Sequence, residues 1–200
     1  MHLDLSEKQI EKLKFFSQAV IQRNKQHNLT GHKDPKSFFD NQIIDCILAQ
    51  NTCKNHLQKN IVDCGSGAGV PSIVWAILEP EKKLFSVDKS FRKIQFQKQI
   101  IQELKLTNIE AINEKIEKFI LNEPHTTVFK AFSSIKNTIK KTKHRNNQKN
   151  LIFLKKDNTK TKEEILDAAA LLYDYKKHLY VHKEEKMVAL EFYDNKNSNN

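Results

Sequence analysis

The sequence predicts an α/β fold: a seven-stranded, mostly parallel sheet, preceded by a helical extension and closed by an antiparallel hairpin. Apolar runs short enough to be buried strands alternate with segments whose apolar residues recur at helical spacing, the pattern of a parallel sheet with right-handed crossovers. Three of the four glycines, Gly65, Gly67 and Gly69, fall within five positions directly after the first such run. The last two runs, His178-Leu179-Tyr180-Val181-His182 and residues 187–193, are separated only by residues 183–186. That connection is too short for a parallel crossover, so these two strands must pair antiparallel.

Each element has a local reason. Ser6 and Gln9 make a capping box before a helix whose apolar face is Ile10, Leu13, Phe16, Val20 and Ile21. A second helix opens at Asp34-Pro35, with Phe38, Phe39, Ile43, Ile44, Ile47 and Leu48 on its core side. These two helices assign residues 1–58 to an N-terminal extension and residues 59–193 to the core of one domain, for which 200 residues at 38% hydrophobic content suffice. Strands are expected at 61–64, 83–88, 109–113, 127–131 and 151–155. Pro71 suits the first turn of a helix carrying Ile73, Val74, Ala76 and Ile77. Ser90 opens another through Ile94, Phe96, Ile100, Ile101 and Leu104, and a further helix is expected over 163–173. The Asn-rich segment 194–200 is expected to be a disordered tail.

The glycine cluster marks a ligand loop. In Ile61-Val62-Asp63-Cys64-Gly65-Ser66-Gly67-Ala68-Gly69-Val70-Pro71 the backbone must turn tightly and come close to something bulky, which glycine does without a Cβ penalty. The order is strand, loop, helix, and helix N-termini offer unpaired N–H groups to polar or anionic ligands. No Gly-Lys-Ser/Thr follows, which excludes a phosphate P-loop, and a dinucleotide fingerprint would need glycine where Val70 stands. The G-x-G-x-G spacing instead resembles the first motif of S-adenosylmethionine-dependent methyltransferases; the alternative is a purely structural turn. Asp88 ends the second strand about twenty residues on, where nucleotide-binding units put a ribose-binding carboxylate. Its alternative role is in the cap region of the next helix. The strand plan as a whole resembles the Rossmann-like, class I fold of these methyltransferases and disfavours a nicotinamide-binding domain.

Charge points to a partner. Residues 129–162 hold eleven Lys/Arg against one acid, Asp157, a net of +10 that equals the formal charge of the whole chain. Lys136, Lys140, Lys141, Lys143, Arg145, Lys149, Lys155 and Lys156 are the candidate RNA-contacting residues of this block, since strands four and five should exit beside the glycine loop. The alternative is a solvated loop in a chain rich in Lys and Asn throughout. The three cysteines, Cys46, Cys53 and Cys64, are odd in number and lack paired-ligand spacing, so neither a disulfide framework nor a zinc site is expected. Cys53-x-x-His56 reads as a surface coincidence, and the eight histidines, His27 and His32 among them, as surface or cap residues. No apolar run approaches a membrane span, and Met1-His2-Leu3-Asp4 begins no signal core. A cytoplasmic monomer with no membrane partner is the expectation.

Taken together, the residues resemble the RsmG/GidB family, bacterial methyltransferases that modify N7 of a guanine in 16S ribosomal RNA. The resemblance rests on Asn28-Leu29-Thr30, Asp34-Pro35, Ile44-Asp45, residues 62–71, Val87-Asp88, residues 103–109, Glu117, Ala131-Phe132 and Leu154-Lys155, in that order, over roughly residues 12–165. It implies S-adenosylmethionine as methyl donor and 16S rRNA, free or within the small ribosomal subunit or an assembly intermediate, as substrate. It further implies that Gly65, Ser66, Gly67, Gly69 and Val70 line the cofactor and Asp88 holds its ribose. Ile116 and Glu117 would flank the adenine, and Lys130 would stand by the methionine portion. By their own chemistry, Ile116 could equally be core and Glu117 a solvated acid. Lys115 and Lys130 stand where the family usually has arginine, Gln42 for histidine, and Ser72 and Lys156 for glycine. The lysines keep the charge but lose the two-pronged grip on a carboxylate, so weaker cofactor binding is expected. No catalytic acid or base is expected, because a sulfonium methyl is already activated and guanine N7 already has an in-plane lone pair. Two rival functions are an RNA-binding homologue without activity and a methyltransferase for small molecules.

Overall fold

The computed structural model describes residues 4–142, 147–171 and 173–193; Lys143, Arg145 and the 194–200 tail lie outside them. The N-terminal extension is α1 (Glu7–His27), α2 (Pro35–Phe38), a π-helical turn (Phe39–Ile43) and α3 (Ile44–Cys53). The core follows as β1 (Asn60–Cys64), α4 (Ser72–Leu78), β2 (Lys83–Asp88), α5 (Phe91–Glu103), β3 (Ile109–Asn113) and β4 (His125–Lys130). It ends with α6 (Ile135–Thr142), β5 (Gln148–Lys156), α7 (Thr159–Ala168), β6 (Asp174–His182) and β7 (Glu185–Tyr193).

The seven strands run in the order β3-β2-β1-β4-β5-β7-β6. The five strands β1 to β5 pair in parallel, and β7 is antiparallel to both neighbours. The hairpin anticipated from the short 183–186 connection therefore exists, with its second strand inserted between β5 and β6. Strand order reverses beside β1, the switch point at which open α/β sheets bind ligands.

Alternation of side chains divides the core between the two sheet faces. One face packs Ile61, Leu84 and Ile152 against Leu13, Phe16, Ile47, Trp75 and Phe96 from α1, α3, α4 and α5. The other packs Val62, Phe85, Phe129 and Phe153 against Ile135 and Ile139 of α6 and Ile165 of α7. The capping box at Ser6 and Gln9 is present, and Gln9 also reaches the carbonyl of Ile77, docking α1 on the end of α4.

Three expectations shift. The second helix is a continuous run from Pro35 to Cys53 interrupted by the π turn, whose extra residue no periodicity reveals. The helix expected over 163–173 begins at Thr159, where the Asn158 side chain accepts from Thr161 N, and gives way to a 3-10 turn at Ala169–Leu171. β6 begins at Asp174 because polar Asp174-Tyr175-Lys176-Lys177 continues along an edge strand, whose outer face needs no apolar residues.

Candidate active site

The glycine loop leaves β1 at the switch point and is tied to β2. Gly65 N and Ser66 N both donate to the Val87 carbonyl, at 2.8 and 3.2 Å, and Gly67 N donates to Asp88 Oδ2 at 2.9 Å. Asp88 Oδ1 accepts from Ser90 N, so one carboxylate holds the loop and starts α5. Gly65 and Gly69 have φ of +76° and +95°, where a side chain is strained, and a Cβ on Gly65 would come within 2.5 Å of the Phe132 ring. The bulky group that Gly65 accommodates within the fold is thus Phe132, from the turn after β4.

A buried polar ladder supports the loop from beneath. Ser72 Oγ and Ser86 Oγ are 2.8 Å apart, Ser86 Oγ donates to Gln97 Oε1, and Gln97 Nε2 donates to Ser66 Oγ and to the Gly67 carbonyl, both at 2.9 Å. Ser72 N donates to Asp63 Oδ2 at 3.1 Å. Burial is the dominant influence on Asp63 and pushes its carboxyl up to about 7 against the opposing bonds from Ser72. Ser72 does not crowd the fold; its hydroxyl is fully buried and bonded.

Above the loop lies a cleft of about 340 Å³, shared between the core and the extension. The core contributes Gly65, Ser66, Gly67, Val70, Lys93 and Lys130, and the extension contributes Thr30, Gly31, His32, Phe38 and Gln42. Asn24 explains how the extension arrives there. Its Oδ1 accepts from Leu29 N and Thr30 N, at 2.7 and 2.9 Å, bending the chain after α1 back over the loop. Lys130 crosses the cleft wall, donating to Gln42 Oε1 at 2.6 Å and lying 3.3 Å from Asp45 Oδ2. Gln42 in turn contacts His32, which bonds Ser37. His32 is consequently part of the cleft rather than a surface residue, and His125 is fully buried.

The other candidate residues are arranged unequally. Gly69 and Asp88 support the loop without lining the cleft. Ile116 is buried in the second core cluster, and half-exposed Glu117 faces Lys141 at 3.4 Å. A bond from its own backbone N–H, with Lys141 beside it, holds Glu117 below the usual carboxylate range. The basic block is divided. Lys155 and Lys156, at the C-terminal end of β5, border a second recess of about 270 Å³ that also contains Lys130, Asn158 and Lys160. Lys136, Lys140 and Lys141 lie on α6, whose Ile135, Thr138, Ile139 and Thr142 are buried. Several of these lysines have acidic partners: Lys136 with Asp167, Lys155 with Glu164 and Lys156 with Glu185. Lys149 stands near the opposite end of β5, six residues and roughly 20 Å from Lys155 at ordinary strand rise. Sequence reasoning missed Asp45, Gln97 and Thr30, which reach the site only through tertiary packing, although Asn28-Leu29-Thr30 and Ile44-Asp45 had marked their segments.

A family model described as rRNA small subunit methyltransferase G matches residues 9–190. The chain belongs to this family, GidB. Among members of the GidB family, the small subunit methyltransferase G of Vibrio campbellii is 33% identical over 165 residues, covering 82% of this chain and 76% of that protein. That of Pseudomonas putida is 34% identical over 143 residues, covering 71% and 66%. Solved structures share the fold at lower identity. Magnesium protoporphyrin IX methyltransferase from Synechocystis, solved with bound S-adenosylmethionine, superposes with TM-score 0.60 at 11% identity, over 96% of this chain and 99% of that one. TrmK of M. capricolum, solved with S-adenosylhomocysteine, gives 0.53 at 18%, over 68% and 62%. This member of the GidB family therefore has the class I methyltransferase fold that its strand plan predicts.

Proposed function

We propose that the chain transfers a methyl group from S-adenosylmethionine to N7 of a guanine in small-subunit 16S ribosomal RNA, as one methyltransferase domain comprising the helical extension and the sheet core. The observation that carries this reading is the cleft itself. In a chain of this family, a glycine loop at the sheet's switch point shares one cavity with Lys130 and with the N-terminal extension. Its volume is within the ~300–1,000 Å³ range of small-molecule sites.

The donor set suits the cofactor. The Lys130 ammonium complements a methionine carboxylate, and Asp88 keeps free lone pairs on oxygens that already accept one bond each, as a ribose diol requires. Gly65, Ser66, Gly67 and Val70 would hold the cofactor from the loop side, with Gly69 shaping the turn and Ile116 and Glu117 on the adenine side. Bound there, S-adenosylmethionine supplies a methyl group already activated by its sulfonium. The protein's share is orientation. Asp45 and Gln42 fix Lys130, the Ser72-Ser86-Gln97 ladder fixes the loop, and the extension narrows access to the cleft. Guanine N7 carries no proton, so no residue is assigned as a general base.

RNA would approach over Lys136, Lys140 and Lys141 of α6 and over Lys155 and Lys156, which border the recess next to the cleft and share Lys130 with it; Lys149, near the other end of β5, would stand apart. The target base must stand clear of its helix, because the deep, narrow groove of duplex RNA hides N7. No helix among the described residues is long and apolar enough to cross a membrane; we place the reaction in the cytoplasm, on a monomeric enzyme, as part of the same proposal.

The test is transfer of a radiolabelled methyl group to small ribosomal subunits and to protein-free rRNA, followed by mapping of the modified base. Label at one guanine N7 is expected. Label confined to proteins or small molecules, or no binding of S-adenosylmethionine at millimolar concentration, would overturn the reading.

A further inference from the structure

Away from the cleft, three residues distant in sequence converge on one point. His56 ends the 3-10 turn Lys54–His56 before β1, His178 lies on β6 and Glu191 on β7. His178 pairs with Ala189 across the hairpin, so Glu191, two residues further along β7, is its diagonal neighbour on the same sheet face. Glu191 Oε2 is 3.0 Å from His56 Nδ1 and 3.0 Å from His178 Nε2. The two imidazole rings stand 4.3 Å apart, and the three ligand-type atoms all lie within 4.8 Å of one another.

We propose that His56, His178 and Glu191 bind a single divalent transition-metal ion of the zinc type. Two imidazoles and one carboxylate, with a position left for water, form a donor set that such ions accept. The surroundings hold two of these donors in place from behind. Asn150 Nδ2 donates at 2.8 Å to Glu191 Oε1 and at 2.8 Å to the His56 carbonyl, while Asn150 Oδ1 accepts from Thr126 Oγ1 at 2.7 Å. Outer bonds of this kind orient metal ligands and leave the facing atoms for the ion. Burial is graded: the side chains of Glu191 and His178 are 9% and 13% exposed and that of His56 is 34% exposed, which leaves an entry path beside one imidazole. Coordination replaces the two contacts at Glu191 Oε2 with three metal–ligand bonds, and each facing nitrogen gives its lone pair to the ion. Any proton on that nitrogen moves to the other ring nitrogen or to solvent. The site would clasp the segment leading into β1 to the C-terminal hairpin. It does not include Cys53, which is buried, its thiol pushed up to about 12 by that burial. Cys53-x-x-His56 is thus a core thiol beside a partly exposed imidazole rather than a surface pair.

The experiment uses the full chain without an affinity tag, titrated separately with Zn²⁺ and Co²⁺. One equivalent should bind, raise Tm, and give cobalt d–d bands without thiolate charge-transfer absorption. H56Q and E191Q should each weaken binding at least about tenfold, the scale on which ligand-sphere changes act. Circular dichroism of the metal-free variants verifies their folding, and partly exposed His56 keeps the test decisive if E191Q does not fold. Three outcomes overturn the proposal: no saturable binding to the wild type, unchanged affinity in H56Q, or a thiolate band with cobalt. None depends on methyl transfer, so the metal site and the proposed function stand or fall separately.

Discussion

Asp63, next to last in β1, has its carboxylate inside the protein, and only Oδ2 has a hydrogen-bond partner among the described residues. Its pKa rises from 3.8 to about 7 chiefly through burial, which favours the protonated form in the folded state. A carboxyl raised by folding contributes stability that is fully present below the unfolded value and is lost as pH rises through the folded one. The stability of the wild type relative to D63N should therefore decline between about pH 4 and pH 7 and level off above, as read from denaturant unfolding at a series of pH values. Parallel pH profiles for the two proteins would contradict this. At this scale the sequence was informative about the loop and silent about its supports. Gly65 and Asp88 were legible because their spacing is local. Ser86 and Gln97 were not, because each is an unremarkable polar residue until β2 and α5 turn both toward Ser72 and Ser66.

β6 acts as a clamp on the extension. Tyr180 donates to Asp45 Oδ1 at 2.9 Å and His182 contacts the Asp40 carbonyl at 2.7 Å, on the same strand face as His178. Burial, with Asp45 beside it, pushes the Tyr180 hydroxyl far above its ordinary range, so it serves as a neutral donor. Y180F should cost about 1.5–3 kcal/mol, the scale of a hydrogen bond to a charged group, in denaturant unfolding. It should also weaken S-adenosylmethionine binding, since Asp45 then loses one of the contacts that hold it against Lys130. Unchanged stability would mean that the Tyr180 bond is dispensable. The hairpin was legible as an element, from two apolar runs with a short link. Its partners were not, because β7 slots between β5 and β6 instead of extending the sheet in chain order, and β6 meets Asp45 and Asp40 across 135 and 142 residues of sequence.

For the whole molecule, the net charge of +10 is carried by a block that the fold spreads over two ends of the sheet. Lys140 is exposed on α6 and Lys160 lies in the first turn of α7 beside the second recess, whereas Lys149 is exposed near the start of β5. Affinity for small-subunit rRNA should fall steeply with salt, and K140Q and K160Q should each reduce the slope of log affinity against log salt by about one. K149Q should leave it unchanged. Equal effects at all three lysines would indicate diffuse attraction without a docked face. The fold class was legible because strand–helix alternation and the final hairpin are both local patterns. The division of the basic block was not, because a run of lysines in sequence says nothing of which end of a strand each will occupy.

The position of β7 bears on how the molecule is assembled. This strand is synthesised after β6 yet lies inside the sheet, between β5 and β6, and it carries Phe192 and Leu190 into the core. Until it inserts, β5 is an uncovered edge and Tyr180 has no strand to hold it against Asp45. The bond by which Tyr180 steadies Asp45 beside Lys130 therefore comes from the part of the chain made last, so one support of the cleft is completed only when the hairpin closes.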